Sequence, residues 1–234
     1  MDTWTKAGVE VHARVSESCR RLAFPLGDPV PAVSTEPKVL ALFDFDGTLT
    51  RADTMFAFLR FVVGDVRFAL GMAWMGPLLV LQRLGVVPAA TAKERLLLHF
   101  LAGMSREVLD GHARKFHEQV VPGILRPDGL ARLSALQSAG AEMALVTASL
   151  DLWTAPFAAA KGMTLLATPA RWDAAGNFAG LGGTNCNGPE KAIRIQAQFN
   201  LPSYAQIEAY GDTSGDREML ALAHSTFYRP FRGR

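Results

Sequence analysis

Two aspartates end an apolar, β-forming segment of this 234-residue chain. The segment reads VLALFDFDGTLTR over residues 39–51, and the aspartates are Asp44 and Asp46. Residues i and i+2 of an extended strand point to the same side, so both carboxylates could face one site. Such a pair can bind a hard cation such as Mg²⁺, or divide the roles of nucleophile and general acid/base. The alternative is a surface turn, in which Asp and Gly are common.

Three later features also lie at or near the ends of predicted strands. Thr147 ends the apolar segment ALVT, where its hydroxyl could donate to a phosphate oxygen. Lys191 lies in the first turn of a predicted helix, where it could neutralise a phosphate and a carboxylate. Asp212 follows a strand as a candidate third oxygen ligand, and Asp216 could support a metal's water shell or Lys191. Each feature also has an ordinary structural explanation, as a turn cap, a solvated charge or a helix-terminal acid.

The surrounding pattern predicts the elements that bring these residues together. From residue 127 onward, helical and strand patterns alternate, which indicates a parallel sheet with right-handed crossovers. Ligands of such sheets bind at the carboxyl ends of the strands. The fold class is therefore α/β, with a Rossmann-like parallel sheet core and a helical cap inserted after the first strand. The predicted division is an N-terminal extension or linker at 1–37, a core of 38–52 and 121–234, and a cap of 53–120.

Composition narrows the classes of function. Hydrophobic residues make up 49% and charged residues 20% of the chain, which indicates a globular protein. A net charge of +2 without a Lys/Arg block excludes a typical nucleic-acid-binding protein. Cys19 and Cys186 are too few for a disulfide framework, and the N-terminus lacks a secretory apolar segment. These features predict a cytoplasmic protein.

The sequence does not decide whether one apolar stretch is buried in the protein or in contact with a membrane. Residues 68–82 read FALGMAWMGPLLVLQ, 15 residues without a charge. A transmembrane helix needs about 20 apolar residues, and Pro77 is expected to interrupt this stretch. A membrane span is therefore not favoured. The remaining alternatives are helices buried within the cap and an apolar cap surface in peripheral contact with a membrane.

The order DFDGT, VT, K and GDxxxD resembles the phosphatases of the haloacid dehalogenase superfamily over about residues 38–230. The helical insertion after the first motif resembles the phosphoserine-phosphatase-like subfamily IB. This resemblance implies that Asp44 attacks phosphorus to form an aspartyl-phosphate, and that Asp46 is the general acid/base. The implied ligands of Mg²⁺ are Asp44, the backbone carbonyl of Asp46, and Asp212. The implied phosphate-binding residues are Gly47, Thr48, Thr147 and Lys191, with Asp216 in a supporting role.

The substrate that this resemblance implies is a phosphorylated small molecule or a lipid. Thr147, Ala148 and Ser149 stand where phosphoserine phosphatases have Ser-Gly-Gly, which disfavours phosphoserine. The segment DTMFAFLRF with its apolar helix pair, and the C-x-G-x-E-K run at 186–191, resemble phosphatidylglycerophosphatase C. That resemblance implies a lipid phosphate such as phosphatidylglycerophosphate. The alternatives are a soluble metabolite, a phosphotransferase reaction, and a non-catalytic binding protein on the same fold.

Overall fold

The computed structural model describes residues 38–232. The extension or linker predicted for 1–37 lies outside the described residues. The described residues belong to one compact unit. The strands are β1 Val39–Phe43, β2 Glu142–Leu150, β3 Thr164–Thr168, β4 Ala170–Trp172, β5 Phe178–Leu181, β6 Gln206–Gly211 and β7 Ser225–Tyr228.

Five of these strands form one parallel sheet, in the order β3-β2-β1-β6-β7. The strands β4 and β5 form a separate antiparallel hairpin. In β1, Leu40 and Leu42 pack on one face of the sheet, and Ala41 and Phe43 pack on the other. All four side chains are fully buried, as a strand in the middle of a parallel sheet requires. The prediction of an α/β parallel-sheet fold is confirmed.

Nine helices surround the sheet in the described residues 38–232. They are α1 Thr54–Val63, α2 Asp65–Arg83, α3 Ala89–Leu101, α4 Arg106–Gln119, α5 Val121–Ile124, α6 Pro127–Ser138, α7 Asp151–Ala160, α8 Pro189–Gln198 and α9 Arg217–Leu220. Six of them, α1 to α6, lie between β1 and β2, and the first four fall within the predicted helical insertion at 53–120.

The chain enters and leaves this insertion at one place, which we call the neck. An isolated antiparallel bridge pairs Thr50 with Leu125. Next to it, the backbone N–H of Arg126 donates to the carbonyl oxygen of Leu49 at 2.8 Å. The two connections therefore lie side by side, while the cap boundaries at 53–120 remain a prediction.

The helix α2 corrects one expectation from the sequence. It continues through Pro77, which was expected to interrupt it. Proline removes the hydrogen bond to the carbonyl of the residue four positions earlier, here Ala73. Both residues are exposed, so water can reach this part of the helix and the lost bond does not end it. Among residues 38–232, no helix is long and apolar enough to cross a membrane.

The outer side of α2 carries large apolar residues. Val66, Leu70 and Trp74 lie one turn apart and are 73%, 68% and 78% exposed. The opposite side contributes Phe68 and Met75, which pack against the core. One side of this helix therefore packs internally and the other is an exposed apolar surface, while contact of that surface with a membrane remains a prediction.

Candidate active site

The site begins where β1 ends. Asp44 directly follows the strand, is 6% exposed, and donates its backbone N–H to the carbonyl oxygen of Tyr210 at 2.9 Å. The chain then turns through Gly47, whose φ of 82° favours glycine. A Cβ atom on Gly47 would lie 2.3 Å from Oδ2 of Asp212, so only glycine leaves room for that carboxylate. The turn thus brings the ends of β1 and β6 together.

Lys191 connects these strand ends. Its Nζ donates to Oδ1 of Asp44 at 2.7 Å and to Oδ1 of Asp216 at 2.6 Å. Oδ2 of Asp216 accepts the backbone N–H groups of Asp212 and Thr213 at 3.0 Å and 2.9 Å. Lys191 is only 1% exposed, so its charge depends on these carboxylates. The network holds the candidate nucleophile in one orientation.

The pKa values follow from this burial and pairing. Burial lowers the pKa of Lys191, but Asp44 and Asp216 outweigh it, so the pKa is raised and the ammonium stays charged. Burial raises the pKa of Asp216, but the charge and hydrogen bond of Lys191, together with the backbone N–H groups of Thr213 and Asp212, reverse this to a net lowering. Burial raises the pKa of Asp44 to about 7, because it exceeds the lowering by Lys191. The anionic form of Asp44 therefore gains from any further positive charge at this site.

Three carboxylates lie close enough to share a cation. Asp44, Asp212 and Asp216 each offer an oxygen, and these oxygens all lie within 4.8 Å of one another. Arg232 also binds Oδ2 of Asp212, so three carboxylates face two side-chain cations. Burial raises the pKa of Asp212 as well. Hard oxygen ligands and this excess of negative charge fit Mg²⁺.

Asp46 lies at the end of a chain of hydrogen bonds. Oδ1 accepts the backbone N–H of Thr54 at 2.6 Å, and Oδ2 accepts the hydroxyl of Ser149 at 2.6 Å. The hydroxyls of Ser149 and Thr54 are 3.2 Å apart, and Nε1 of Trp153 donates to Oγ1 of Thr54 at 3.0 Å. Because Ser149 gives its only hydroxyl hydrogen to Asp46, it must accept from Thr54, so the chain of donors runs from Trp153 toward Asp46. The carboxylate is thereby fixed without a cationic partner.

These groups surround a pocket of about 290 Å³. Its floor, on the sheet side, consists of Asp44, Thr147, Lys191 and Asp216. Its roof, at or near the inserted helices, consists of Asp53, Met55, Ala89 and Lys93. The remaining lining residues are Asp46, Ala148, Ser149, Asn185, Asn187 and Thr213. A phosphoryl group and a few further atoms fill a space of this size.

The predicted site residues divide into two groups. Asp44, Asp46, Thr147, Lys191 and Asp216 line the pocket, and Asp212 joins them through the carboxylate cluster. Gly47 and Thr48 do not line it: the N–H of Gly47 points to Oγ1 of Thr50 at 3.3 Å, and Oγ1 of Thr48 donates to Asp212 at 3.5 Å. Their role in phosphate binding remains a prediction.

Thr147 has a free donor for a ligand. Its Oγ1 accepts the backbone N–H of Ser149 at 3.0 Å, which leaves the hydroxyl hydrogen to point elsewhere. The strand β2 continues to Leu150, beyond the predicted end at Thr147, but its pairing with β3 becomes irregular after Thr147. The regular pairing of β2 with β3 is therefore interrupted beside the pocket, at Ala148 and Ser149.

Lys93 lines the pocket and was missing from the sequence-based site. It lies on α3, and a lysine in a charged helical segment such as AKER reads as a solvated residue. The spacing of Lys93 nevertheless indicates the inward side of the helix, because Leu96 and Leu97 follow at i+3 and i+4 and are both buried. A lysine on the buried stripe of a helix is unusual and indicates a partner for its charge.

Comparisons with known proteins agree with this architecture. The family model for haloacid dehalogenase-like hydrolases matches residues 41–221. Protein CicA from two strains of Caulobacter vibrioides is 41% identical over 205 residues, covering 85% of this chain and 89% of the relative. A Bordetella pertussis protein of unknown function is 25% identical with a TM-score of 0.71, covering 81% of this chain and 89% of its own. A phosphoserine phosphatase solved as a phospho-aspartyl intermediate analogue is 16% identical with a TM-score of 0.57, covering 82% and 86% of the two chains.

Proposed function

The chain belongs to the haloacid dehalogenase-like hydrolases, and on that premise we propose that it is a Mg²⁺-dependent phosphomonoester hydrolase acting through an aspartyl-phosphate. The family and the phosphoserine phosphatase fold of its structural relative support a phosphatase. The observation that carries the proposal is the buried Asp44, held by Lys191 within a cluster of carboxylates at the strand ends. A relative captured as a phospho-aspartyl analogue supports the covalent intermediate.

Each residue has a defined role in this reaction. A carboxylate oxygen of Asp44 attacks phosphorus, and the bond from phosphorus to the leaving oxygen breaks. Asp46 gives its proton to the leaving oxygen, then accepts one from the water that hydrolyses the aspartyl-phosphate to inorganic phosphate. Thr147 donates to a phosphoryl oxygen, and Lys191 neutralises charge on that group and restrains Asp44. Asp44, the carbonyl of Asp46 and Asp212 would hold Mg²⁺, which would supply further charge neutralisation there.

A lipid phosphate is the substrate class that we favour, with the enzyme in peripheral contact with the membrane. Ala89 lines the pocket, and Val86, three residues earlier, is 67% exposed at the end of the apolar surface of α2. Arg67 and Arg83 are exposed on that helix, and the sequence has no acidic residue from 66 to 93. Apolar residues with flanking arginines suit the surface of an anionic membrane.

The size of the pocket also bears on the choice between a lipid and a soluble substrate. A volume of about 290 Å³ is too small for acyl chains, so only the phosphate and adjoining head-group atoms would enter. The chains would remain outside, against the apolar face of α2. The second candidate is a soluble phosphomonoester, which the polar lining by Asp53, Asn185 and Asn187 favours. Phosphatidylglycerophosphate and phosphoserine represent the two classes.

The test measures phosphate release from phosphatidylglycerophosphate in mixed micelles beside phosphoserine and a generic aryl phosphate. We expect release to require Mg²⁺ and to fall by about a thousandfold or more in Asp44→Asn, which removes the nucleophile. Release from the lipid supports the favoured substrate class, and release from phosphoserine alone supports the soluble one. Hydrolysis that persists in Asp44→Asn would contradict the mechanism.

A surface variant tests the membrane contact separately. Trp74→Ser removes the most exposed large apolar side chain of α2, which lies outside the pocket lining. We expect weaker sedimentation with anionic vesicles and several-fold slower hydrolysis of vesicle-borne substrate, because less apolar area is buried in the lipid. Hydrolysis of the aryl phosphate should remain unchanged. Equal loss on both substrates would instead indicate damage to the fold.

A further inference from the structure

Lys93 reaches from the inserted helices to the sheet side of the pocket. Its Nζ donates to the backbone carbonyl oxygen of Ala148 and to Oδ1 of Asn185, the latter at 2.9 Å. An ammonium group has three donors, and within residues 38–232 these are its two hydrogen bonds. One donor therefore remains for a group that enters the pocket.

The charge of Lys93 also lacks a close counter-ion. In the described range 38–232, no Asp or Glu oxygen lies within 4.0 Å of Nζ. Burial lowers the pKa of Lys93 to about 8, and the more distant Asp46 and Asp53 offset this only in part. A half-buried cation without a paired anion loses part of its hydration, and a ligand's negative charge offsets that cost. Lys191 differs because its two carboxylates are already present.

The position of Lys93 selects which part of a substrate it can bind. The phosphoryl group must lie against Asp44 on the floor for in-line attack, so the leaving group extends toward the roof. Lys93 is the only cationic side chain in the roof, where Asp53 is the one acidic residue and Met55 and Ala89 carry no charge. In the proposed mechanism Thr147 and Lys191 already bind the transferring phosphoryl group, so Lys93 is the remaining pocket cation for the leaving alcohol.

We propose that Lys93 binds a second negative charge on the leaving group, so that the enzyme prefers phosphomonoesters whose alcohol is itself anionic. The inference rests on the proposed phosphatase function and deepens it by naming a substrate class. The anionic oxygen belongs to a carboxylate or to a phosphodiester, and both have the chemistry that an ammonium group recognises. Lys93 is in this sense a specificity-determining residue.

Three soluble substrates of similar size distinguish these sources. Glycerol 3-phosphate has a neutral leaving group, 3-phosphoglycerate has a carboxylate, and the deacylated head group of phosphatidylglycerophosphate has a phosphodiester. We expect the wild type to favour one or both anionic substrates by about tenfold to a hundredfold in kcat/KM, the range for a hydrogen bond to a charged group. The preferred substrate identifies the anion. Equal kcat/KM for all three would overturn the inference.

Variants at position 93 separate recognition from structure. Lys93→Met removes charge and donors, Lys93→Gln retains donors without charge, and Lys93→Arg retains both. We expect the anionic preference to fall to about one in the first two variants and to survive within a few-fold in the third. Arg95→Met, an exposed cation on the same helix, is the matched control and should keep the preference. A loss that is equal for all three substrates would make Lys93 structural and overturn the proposal.

The wild type alone gives a further measurement if these variants fail to fold. Glycerate should inhibit hydrolysis of glycerol 3-phosphate at a concentration about tenfold or more below that of glycerol, because it carries the anion without the phosphate. Equal inhibition by both would contradict a role for Lys93 in binding a carboxylate, and the same comparison with glycerophosphoglycerol tests the phosphodiester. Failure to hydrolyse any phosphomonoester would instead reject the proposed function itself.

Discussion

The floor and the roof of the pocket each contain a largely buried lysine, and they treat its charge differently. On the floor, Lys191 is paired with Asp44 and Asp216 before any ligand is present. In the roof, Lys93 is held by a carbonyl and an amide oxygen, with no carboxylate as a close partner among the described residues. In the proposed reaction, the floor is therefore preorganised for the phosphoryl group, which all substrates share. The charge of the roof lysine is left for the leaving group, which differs between substrates.

Removing the floor lysine should have the largest effect. Lys191→Met leaves Asp44 and Asp216 facing each other in a buried site, so we expect kcat to fall by about a hundredfold or more on every substrate. The free energy of unfolding should also fall, by about 3–5 kcal/mol, because a buried ion pair is broken. Steady-state kinetics and chemical denaturation measure these two quantities.

The control for this variant is Lys115→Met, which removes an exposed lysine of α4. It should leave activity and stability within the range of ordinary surface substitutions, about 0.5 kcal/mol. A loss in Lys191→Met that depended on the charge of the leaving group would contradict the comparison, because it would give the floor lysine the role assigned to the roof.

A smaller effect is expected at Ser149, which lies between floor and roof and orients Asp46. Ser149→Ala removes one of the two hydrogen bonds to Asp46, the proposed general acid, so we expect kcat to fall by about tenfold on alkyl phosphates. Aryl phosphates with an acidic leaving phenol need little proton donation and should be affected less. This difference separates misorientation of Asp46 from general damage.

Ser134→Ala, at an exposed position of α6, is the matched control for that hydroxyl and should leave both rates unchanged. A uniform decrease across alkyl and aryl substrates in Ser149→Ala would indicate that Ser149 contributes to packing rather than to the orientation of Asp46.

The smallest expected effect is a pH dependence of the preference for anionic leaving groups, which we assign to Lys93 in the roof. Because burial lowers the pKa of Lys93 to about 8, its positive charge is present below that pH and is lost as the pH rises. Asp46, Asp53 and Cys186 are the titratable groups that oppose this loss. The preference for anionic over neutral leaving groups should therefore decrease several-fold between about pH 7 and pH 9.

Ratios of kcat/KM for paired substrates measure this change, because pH effects common to both substrates cancel. Lys93→Arg should keep the ratio constant over the same range, since guanidinium does not titrate there. A ratio that decreases equally in Lys93→Arg would assign the pH dependence to another group.

The sequence predicted the floor well for a physical reason. Its residues and the neighbouring carboxylate lie at or near the ends of strands or the start of a helix: Asp44, Thr147, Lys191, Asp212 and Asp216. Parallel strands bring such ends to one edge of the sheet. Short linear motifs therefore predict which of these side chains lie close together. The backbone N–H of Gly47 and the hydroxyl of Thr48 instead point to Thr50 and Asp212, because the hydrogen bonds of the turn decide their direction.

The roof could not be predicted in this way. The contacts of Lys93 with Ala148 and Asn185 join residues 55 and 92 positions apart, and they depend on how the inserted helices rest on the sheet. No local pattern fixes that orientation. The hydrogen-bond chain from Trp153 through Thr54 to Ser149 depends on the same placement. In α2, hydrophobicity alone did not reveal which side packs inward and which side is exposed.

The neck has a consequence for how such an enzyme diversifies. Because Thr50 and Leu125 are paired across it, the ends of the inserted segment stay together whatever lies between them. A segment of different length or shape can be exchanged there without moving the strands, since closing a longer loop adds little entropic cost. Mutation can then rebuild the choice of substrate while the hydrolytic machinery is inherited intact. In this architecture, new specificities arise by replacement of a module rather than by revision of the chemistry.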